Sequence, residues 1–195
     1  MVTARDLRSD VRTRILETAD RLFYAEGIRA VGVDRIIAEA GVAKMSLYNH
    51  FPSKDELVLA VLEHRGRTFD EMFAARMAQN SRREDDPLGA FFAALKEWFE
   101  SPGYRGCMFI NTRSEIGASN RQSADLSSAC KAQFHKFLHQ TLVEAVGQEL
   151  ADETAPPIAL LVEGAIVTAV MERTPRAAET AERAARAVIA QARRT

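Results

Sequence analysis

The sequence predicts an all-α fold. Apolar residues recur at helical spacing, and residues that start or stop helices punctuate the chain. No alternation of Val, Ile and Thr is long enough for a β-strand, and the breaks between the predicted helices are short. Helices that are joined by short loops pack as a bundle, and 195 residues suffice for one large domain or two small ones.

The first three predicted helices follow one another closely. The first covers residues 11–26 with an apolar stripe on its inner face, and Gly27 ends it. The second covers 33–40, and a third runs to residue 50. Between them lies a tight turn at Gly41, where glycine adopts a positive φ at low cost. The pattern therefore predicts a helix, a turn and a second short helix.

The later helices are predicted from their start signals. Ser53 and Glu56 form a capping box that opens a long helix to about Ala78. Asp86-Pro87 provides an N-cap followed by a proline at the first helical position, and Thr174-Pro175 repeats this device. These signals divide the chain beyond residue 53 into several further helices.

The short third helix carries polar and aromatic side chains that a core helix does not need. Such side chains suit the major groove of DNA, where base edges present donors, acceptors and the thymine methyl group. Pro52 keeps the helix short, and the next helix begins with free N–H groups beside Lys54 that can bind a phosphate. The predicted DNA-binding residues are Lys44, Met45, Ser46, Tyr48, Asn49, His50 and Lys54.

Residues 15–63 resemble the DNA-binding domain of TetR-family transcriptional regulators. The resemblance rests on the "LF…G" end of the first helix, the "AGV" turn, the "LY-x-HF" recognition helix and the "PSK" that opens the fourth helix. It implies a three-helix, helix-turn-helix DNA-binding domain at 1–52 and an all-α domain at 53–195 that binds a small molecule and dimerises. The resemblance covers about a quarter of the chain.

The resemblance also implies a role for each residue on the third helix. Positions that usually contact phosphates hold Lys44, Tyr48, His50 and Lys54. Ser46 and Asn49 fall where base contacts often occur. Two departures stand out: Gly32 and Val33 replace the hydroxyl residue that often meets a phosphate, and Met45 replaces a frequent glycine. Met45 is therefore expected to touch a thymine methyl group.

A small hydrophobic or aromatic effector is expected from the aromatic C-terminal half. Most of these aromatic side chains are expected in the core, and about a third of them in a cavity. The candidate ligand-binding residues are Phe69, Phe73, Leu95, Trp98, Phe99, Met108, Phe109, Arg113, Phe134, Glu163 and Val167.

Glu163 interrupts an otherwise apolar helix. The last two helices are expected at about 156–172 and 176–193, and the first of them is apolar on nearly all sides. A carboxylate there must be paired, hydrogen-bonded or protonated, and Arg113 is a candidate partner. A pocket role and a role in the dimer interface both stay open.

The charge balance excludes a globally basic nucleic-acid-binding protein. The chain has 26 Lys and Arg against 27 Asp and Glu, and residues 1–65 carry ten of each sign. Non-specific DNA affinity is therefore expected to be modest. Two interpretations of Arg5, Arg8 and Arg12 stay open: an arm that reaches the minor groove, or a solvated terminus.

Several other features of the chain are expected to have ordinary roles. His135 and His139 share one helix face, but no third metal ligand is identifiable, so exposed or interface histidines are expected. Cys107 is expected to be an inert buried thiol rather than a redox sensor. The N-terminus is polar and lacks the apolar stretch of a signal peptide, and no uninterrupted apolar run reaches the roughly 18–20 residues of a membrane helix. A cytoplasmic location without membrane contact is expected.

The favoured function is that of a ligand-responsive transcriptional regulator. The expectation is a homodimeric repressor that a small hydrophobic effector releases from a palindromic double-stranded DNA operator, without cofactor or metal. The alternative is an all-α small-molecule-binding protein or enzyme that does not bind DNA. Against an enzyme, the chain has no Glu-x-x-His pair, no nucleophile elbow and no glycine-rich phosphate loop.

Overall fold

The protein is helical throughout the described part of the chain. The structure, a computed structural model, describes residues 4–81 and 85–194, with the backbone alone at 4–9. Nine helices and no strand occur there, so the predicted all-α fold is confirmed. The helices are α1 (Ala4–Glu26), α2 (Val33–Ala40), α3 (Lys44–His50), α4 (Lys54–Ser81), α5 (Pro87–Phe99), α6 (Met108–Ile116), α7 (Arg121–Val146), α8 (Gln148–Met171) and α9 (Arg176–Ala192).

One compact unit comprises the residues up to Arg67 together with 108–129. Its core holds apolar residues of α1 to α4, and α2 and α3 pack against α1 and against each other. Arg65 on α4 also forms a two-point ion pair with Asp20 on α1, with N···O distances of 2.7 and 2.8 Å. The fully buried side chains in this core include Ile15, Leu22, Ile36, Leu47, Leu57 and Leu62.

The local signals around α2 and α3 are confirmed. Gly41 closes α2 with φ 62°, in the left-handed region, and its N–H bonds back to the helix. Gly32 occupies the N-cap of α2 without a side-chain cap. At the start of α4 the N–H of Glu56 donates to Ser53 Oγ at 3.1 Å, as the capping box requires. The glycine turn therefore ends α2, and the Ser53 cap begins α4.

The second compact unit comprises residues 68–107 and 130–195. Here α9 packs against α5 and α8. Asp86 caps α5, since its Oδ1 accepts from the N–H of Gly89 at 3.0 Å and Pro87 occupies the first turn. Aromatic rings from α4, α5 and α7 contact one another with centroid distances of 4.8–5.9 Å, and they belong to Phe69, Phe73, Phe91, Trp98, Phe134 and Phe137.

The predicted start of α8 near residue 156 is wrong. The helix begins at Gln148, and Pro156 and Pro157 lie inside it. Both prolines are exposed, and buried residues such as Ala155 and Ile158 continue one inner face past them. Burial of this inner face therefore stabilises the helix across two positions that cannot donate a backbone hydrogen bond.

Helix α9 begins at Arg176, as the expected range 176–193 has it, but its cap differs by one residue from the prediction. Pro175 is the N-cap rather than the first helical residue. The hydroxyl of Thr174 still accepts from the N–H of Arg176 at 3.3 Å. The Thr-Pro pair therefore marks the helix start, but Pro175 holds the N-cap position that was expected for Thr174, and Thr174 lies one residue before the cap.

The length and composition of α8 are also those of a membrane-spanning helix. Core helices share these properties, and 44% of the apolar window of α8 is buried against the rest of the unit.

The compact units do not coincide with the predicted division into 1–52 and 53–195, which stays a prediction about function.

Candidate DNA-binding surface

The surface of α3 is built on one buried anchor. Leu47 is completely buried and fixes the helix against α1 and α2. Around it the predicted contact residues reach the surface: Met45 is 69% exposed and Tyr48 is 37% exposed. Lys44 and Asn49 are also exposed, and Ser46 and His50 are half-buried. About two turns of helix therefore present donors, acceptors, a thioether and an aromatic ring together.

The ammonium of Lys44 has an acidic neighbour in the free protein. Its Nζ lies 3.2 Å from Asp34 Oδ1, and both side chains are exposed. Asp34 stands in the first turn of α2, so the two helix N-termini of the motif are bridged by this ion pair. Asp34 was not predicted as part of this surface, because it lies ten residues from Lys44 in the sequence and only the fold brings the two side chains together.

A chain of ion pairs joins α1 and α2 next to this surface. Glu39 accepts from Arg21 at 2.6 Å and from Arg35 at 2.9 Å, and Arg35 also binds Glu26. The hydrogen bonds from Arg21 and Arg35 lower the pKa of Glu39, and those to Glu26 and Glu39 raise the pKa of Arg35. These arginines neutralise acidic residues of their own domain, which limits the positive potential that they offer to DNA.

Arg14 of α1 closes the turn of the motif. Its guanidinium donates to the carbonyl of Ala40 at 2.5 Å and to that of Gly41 at 3.1 Å. Both carbonyls belong to the C-terminal end of α2, where helical partners are lacking. A cation there also complements the helix dipole. Arg14 therefore holds the turn between α2 and α3, a role that no local pattern indicated.

Lys54, a predicted phosphate contact, is partly engaged within the protein. Its Nζ donates to the carbonyl of Ile28 at 2.6 Å and lies 5.8 Å from the centre of the Phe23 ring. Burial lowers the pKa of Lys54, and the negative charge of Glu115 partly opposes that shift. An ammonium has three N–H groups, so two further donors of Lys54 are available to a phosphate.

Arg12 packs on the domain, with its guanidinium 5.1 Å from the centre of the Phe51 ring. The side chains of Arg5 and Arg8 lie outside the described residues, whereas the backbone from Ala4 is helical. A role for these arginines as a minor-groove arm stays a prediction.

The predicted effector residues are distributed over both compact units. In the second unit, Phe69, Phe73, Leu95, Trp98, Phe99 and Phe134 are buried or half-buried in the aromatic core, and Val167 is 49% exposed on α8. In the first unit, Met108 and Phe109 are buried, and exposed Arg113 donates to Ala124 O at 3.3 Å and Ser128 Oγ at 3.1 Å.

The partner suggested for Glu163 is wrong. The carboxylate binds Lys131 and His135, with 2.8 Å to His135 Nε2, and not Arg113. His135 and His139 therefore serve separate acidic partners, because His139 Nε2 lies 2.6 Å from Asp152. No group of three potential metal-ligating side chains occurs at residues 10–81 or 85–194. Cys107 is buried, as expected.

Comparison with known proteins agrees with this architecture. The family described as bacterial regulatory proteins, tetR family, matches residues 15–61. The HTH-type transcriptional regulator YxaF of Bacillus subtilis is 27% identical over 86% of this chain and 90% of its own length. The HTH-type transcriptional regulator TtgR of Pseudomonas putida is 32% identical over 70% of this chain and 66% of its own.

Solved structures extend the likeness to nearly the whole chain. SCO4454, a TetR-family transcriptional regulator from Streptomyces coelicolor, superimposes with a TM-score of 0.78 at 28% identity and covers 94% of this chain and 96% of its own. Motif, relatives and fold therefore agree on one assignment. The chain belongs to the TetR family and is a DNA-binding transcriptional regulator.

Proposed function

We propose that this regulator is a homodimeric repressor in the cytoplasm, released from a palindromic operator by a small hydrophobic effector. The observation that carries the proposal is the exposed face of α3, where Lys44, Met45, Tyr48 and Asn49 surround the buried anchor Leu47. A surface of this kind has no role in the packing of the domain, and it has the size and chemistry of a major-groove reader.

Positioning and base reading are divided among the contact residues. The cations and the tyrosine hydroxyl suit phosphates, which set the register of the protein on DNA but carry no sequence information. Ser46 and Asn49 present hydrogen-bonding groups to base edges, and Met45 offers its thioether to a thymine methyl group. The proposed phosphate contacts are Lys44, Tyr48, His50 and Lys54.

An apolar stripe on α8 supports the proposed dimer. Leu160 and Met171 are 75% and 77% exposed, and Val167 on the same face is 49% exposed. A Cβ at Gly164, between them, would meet nothing within 4 Å, so a second helix backbone has room to approach. A second copy of the chain covers this stripe in an isologous contact. The dimer then places two α3 helices in successive major grooves, about 34–36 Å apart.

An effector is proposed to act by shifting a conformational population. The aromatic side chains of the second unit provide apolar surface for a hydrophobic ligand. In one state the spacing of the two α3 helices fits the operator, and in the other it does not. A ligand that binds the second state more tightly lowers the affinity for the operator, and the size of the effect is set by the difference in ligand affinity between the two states. Repression then ends when the effector accumulates.

The experiment combines a reporter assay with operator binding. A promoter fragment that the purified protein binds in a gel shift drives a reporter, with and without the regulator. We expect lower expression with the regulator present, and recovery when a ligand identified by thermal shift is added. Higher expression with the regulator would indicate activation instead. Operator affinity that no stabilising ligand changes would contradict ligand-responsive regulation.

A further inference from the structure

A carboxylate on α6 holds the turn that leads from α1 to α2. Glu115 Oε2 accepts from the N–H of Ile28 at 3.0 Å, and its Oε1 accepts from the N–H of Arg29 at 2.5 Å. Hydrogen bonds to an ionised acceptor are stronger than those between neutral groups. The partners lie 87 and 86 residues apart in the chain, so this side chain ties α6 to the helix-turn-helix segment.

Gly27 shapes the seat of this carboxylate. Its φ is +93°, in the region that favours glycine. A Cβ at Gly27 would lie only 3.2 and 3.3 Å from the two carboxylate oxygens of Glu115. The backbone angle therefore favours glycine at the position that precedes the two N–H donors, and any larger residue there would press on the carboxylate.

The same turn is held from its other side by Lys54. The peptide group between Ile28 and Arg29 gives its carbonyl to the Lys54 ammonium at 2.6 Å and its N–H to Glu115. A cation at the carbonyl and an anion at the N–H polarise one peptide group in the same sense, so each hydrogen bond strengthens the other. A single peptide group thus links Glu115 on α6 to Lys54 at the start of α4.

We propose that Glu115 is a positioning residue for DNA binding, which fixes the Lys54 ammonium through the Ile28–Arg29 peptide so that its free N–H groups meet a DNA phosphate. This inference rests on the proposed phosphate contact of Lys54. Loss of the carboxylate leaves two N–H groups of the turn without their acceptor and lets the carbonyl that anchors Lys54 move. The side chain itself does not touch DNA.

The test uses Glu115→Gln, which keeps the shape and one acceptor oxygen. Electrostatics alone predicts tighter DNA binding, because the substitution removes a negative charge from a unit that binds a polyanion. The positioning role predicts the opposite sign: about three- to tenfold weaker binding to the selected operator, and a salt dependence that is shallower by up to about one phosphate contact. The matched control is Glu63→Gln, which removes the same charge from an exposed position of α4 in the same unit.

Two further measurements separate positioning from general destabilisation. Hydrogen exchange at the amides of Ile28 and Arg29 is expected to become faster in Glu115→Gln, while a melting curve and circular dichroism verify that the variant is folded. In a Lys54→Ala background, Glu115→Gln is expected to change operator affinity little, because both act through one contact.

The possible results distinguish the inference from the function on which it rests. A folded Glu115→Gln protein that binds the operator as tightly as Glu63→Gln or more tightly would overturn the positioning role. If Lys54→Ala itself binds like wild type, the proposed phosphate contact of Lys54 is wrong and the inference falls with it. Weak binding by Lys54→Ala together with full binding by Glu115→Gln refutes the inference alone.

Discussion

Asp34 and Lys44 show how the proposed DNA contacts depend on single residues. If Lys44 binds a phosphate as proposed, it does so while an exposed carboxylate lies 3.2 Å from its ammonium. An exposed ion pair contributes only about 0–1 kcal/mol, so a phosphate can displace it, but the carboxylate then faces the DNA backbone. We therefore expect Asp34 to oppose binding to any DNA sequence, so that operator-specific contacts supply the difference.

Replacement of Asp34 by asparagine tests this competition. Asp34→Asn is expected to raise affinity several-fold for operator and random DNA alike and to steepen the salt dependence by up to about 0.9, the value for one phosphate. Fluorescence anisotropy at several salt concentrations measures both quantities. Glu17→Gln, on an exposed position of α1, removes the same charge. Equal gains in the two variants would mean that net charge, rather than the pairing with Lys44, controls affinity.

At the scale of the element, local signals and tertiary burial compete for the helix boundaries. Where a boundary depends on neighbouring residues, as at Gly41 and Ser53, the sequence was sufficient. At α8 the two prolines suggested a break, but a buried face continues through them. Burial depends on residues that are remote in the chain, so no local pattern reveals it.

The prolines of α8 should therefore cost stability. Pro156→Ala restores an N–H group for the carbonyl of Asp152 at an exposed position of the helix interior. We expect a gain of about 1–2 kcal/mol, less than the roughly 3 kcal/mol difference in helix propensity because proline also stiffens the unfolded chain. Pro87→Ala is the control, since Pro87 lies in the first turn of α5, where no helical bond is missing. A melting temperature that falls in Pro156→Ala would contradict this view of the helix.

The candidate site was only partly predictable for the same reason. The proposed contact residues of α3 are adjacent in sequence, so spacing and motif sufficed to propose them. Arg14, Asp34 and Glu115 act on partners that are 10 to 87 residues away, and only the folded chain brings these groups together. The partners of Glu163 on α7 were missed for this reason as well.

At the scale of the whole molecule, the proposed function requires two copies of the chain. Leu160→Glu places a carboxylate on the exposed apolar stripe of α8. In an isologous contact this carboxylate would face the same stripe of the second copy. We expect sedimentation to change from the dimer mass to the monomer mass at micromolar concentration, with the fold retained because the residue is 75% exposed. Ala132→Glu, an exposed position of α7, is the control. A dimer that is unaffected by Leu160→Glu would place the interface elsewhere.

The most direct test of the account is the base preference of the α3 surface, measured by selecting binding sites from a random DNA pool. For wild type we predict two symmetric half-sites. Asn49→Ala should lose discrimination at one base pair in each half-site, by about 1–3 kcal/mol, whereas Lys44→Ala should weaken binding to all sequences and leave the preference unchanged. If Asn49→Ala and Ser46→Ala both select the wild-type sites with undiminished preference, α3 does not read the operator, and the proposed DNA-binding surface is wrong.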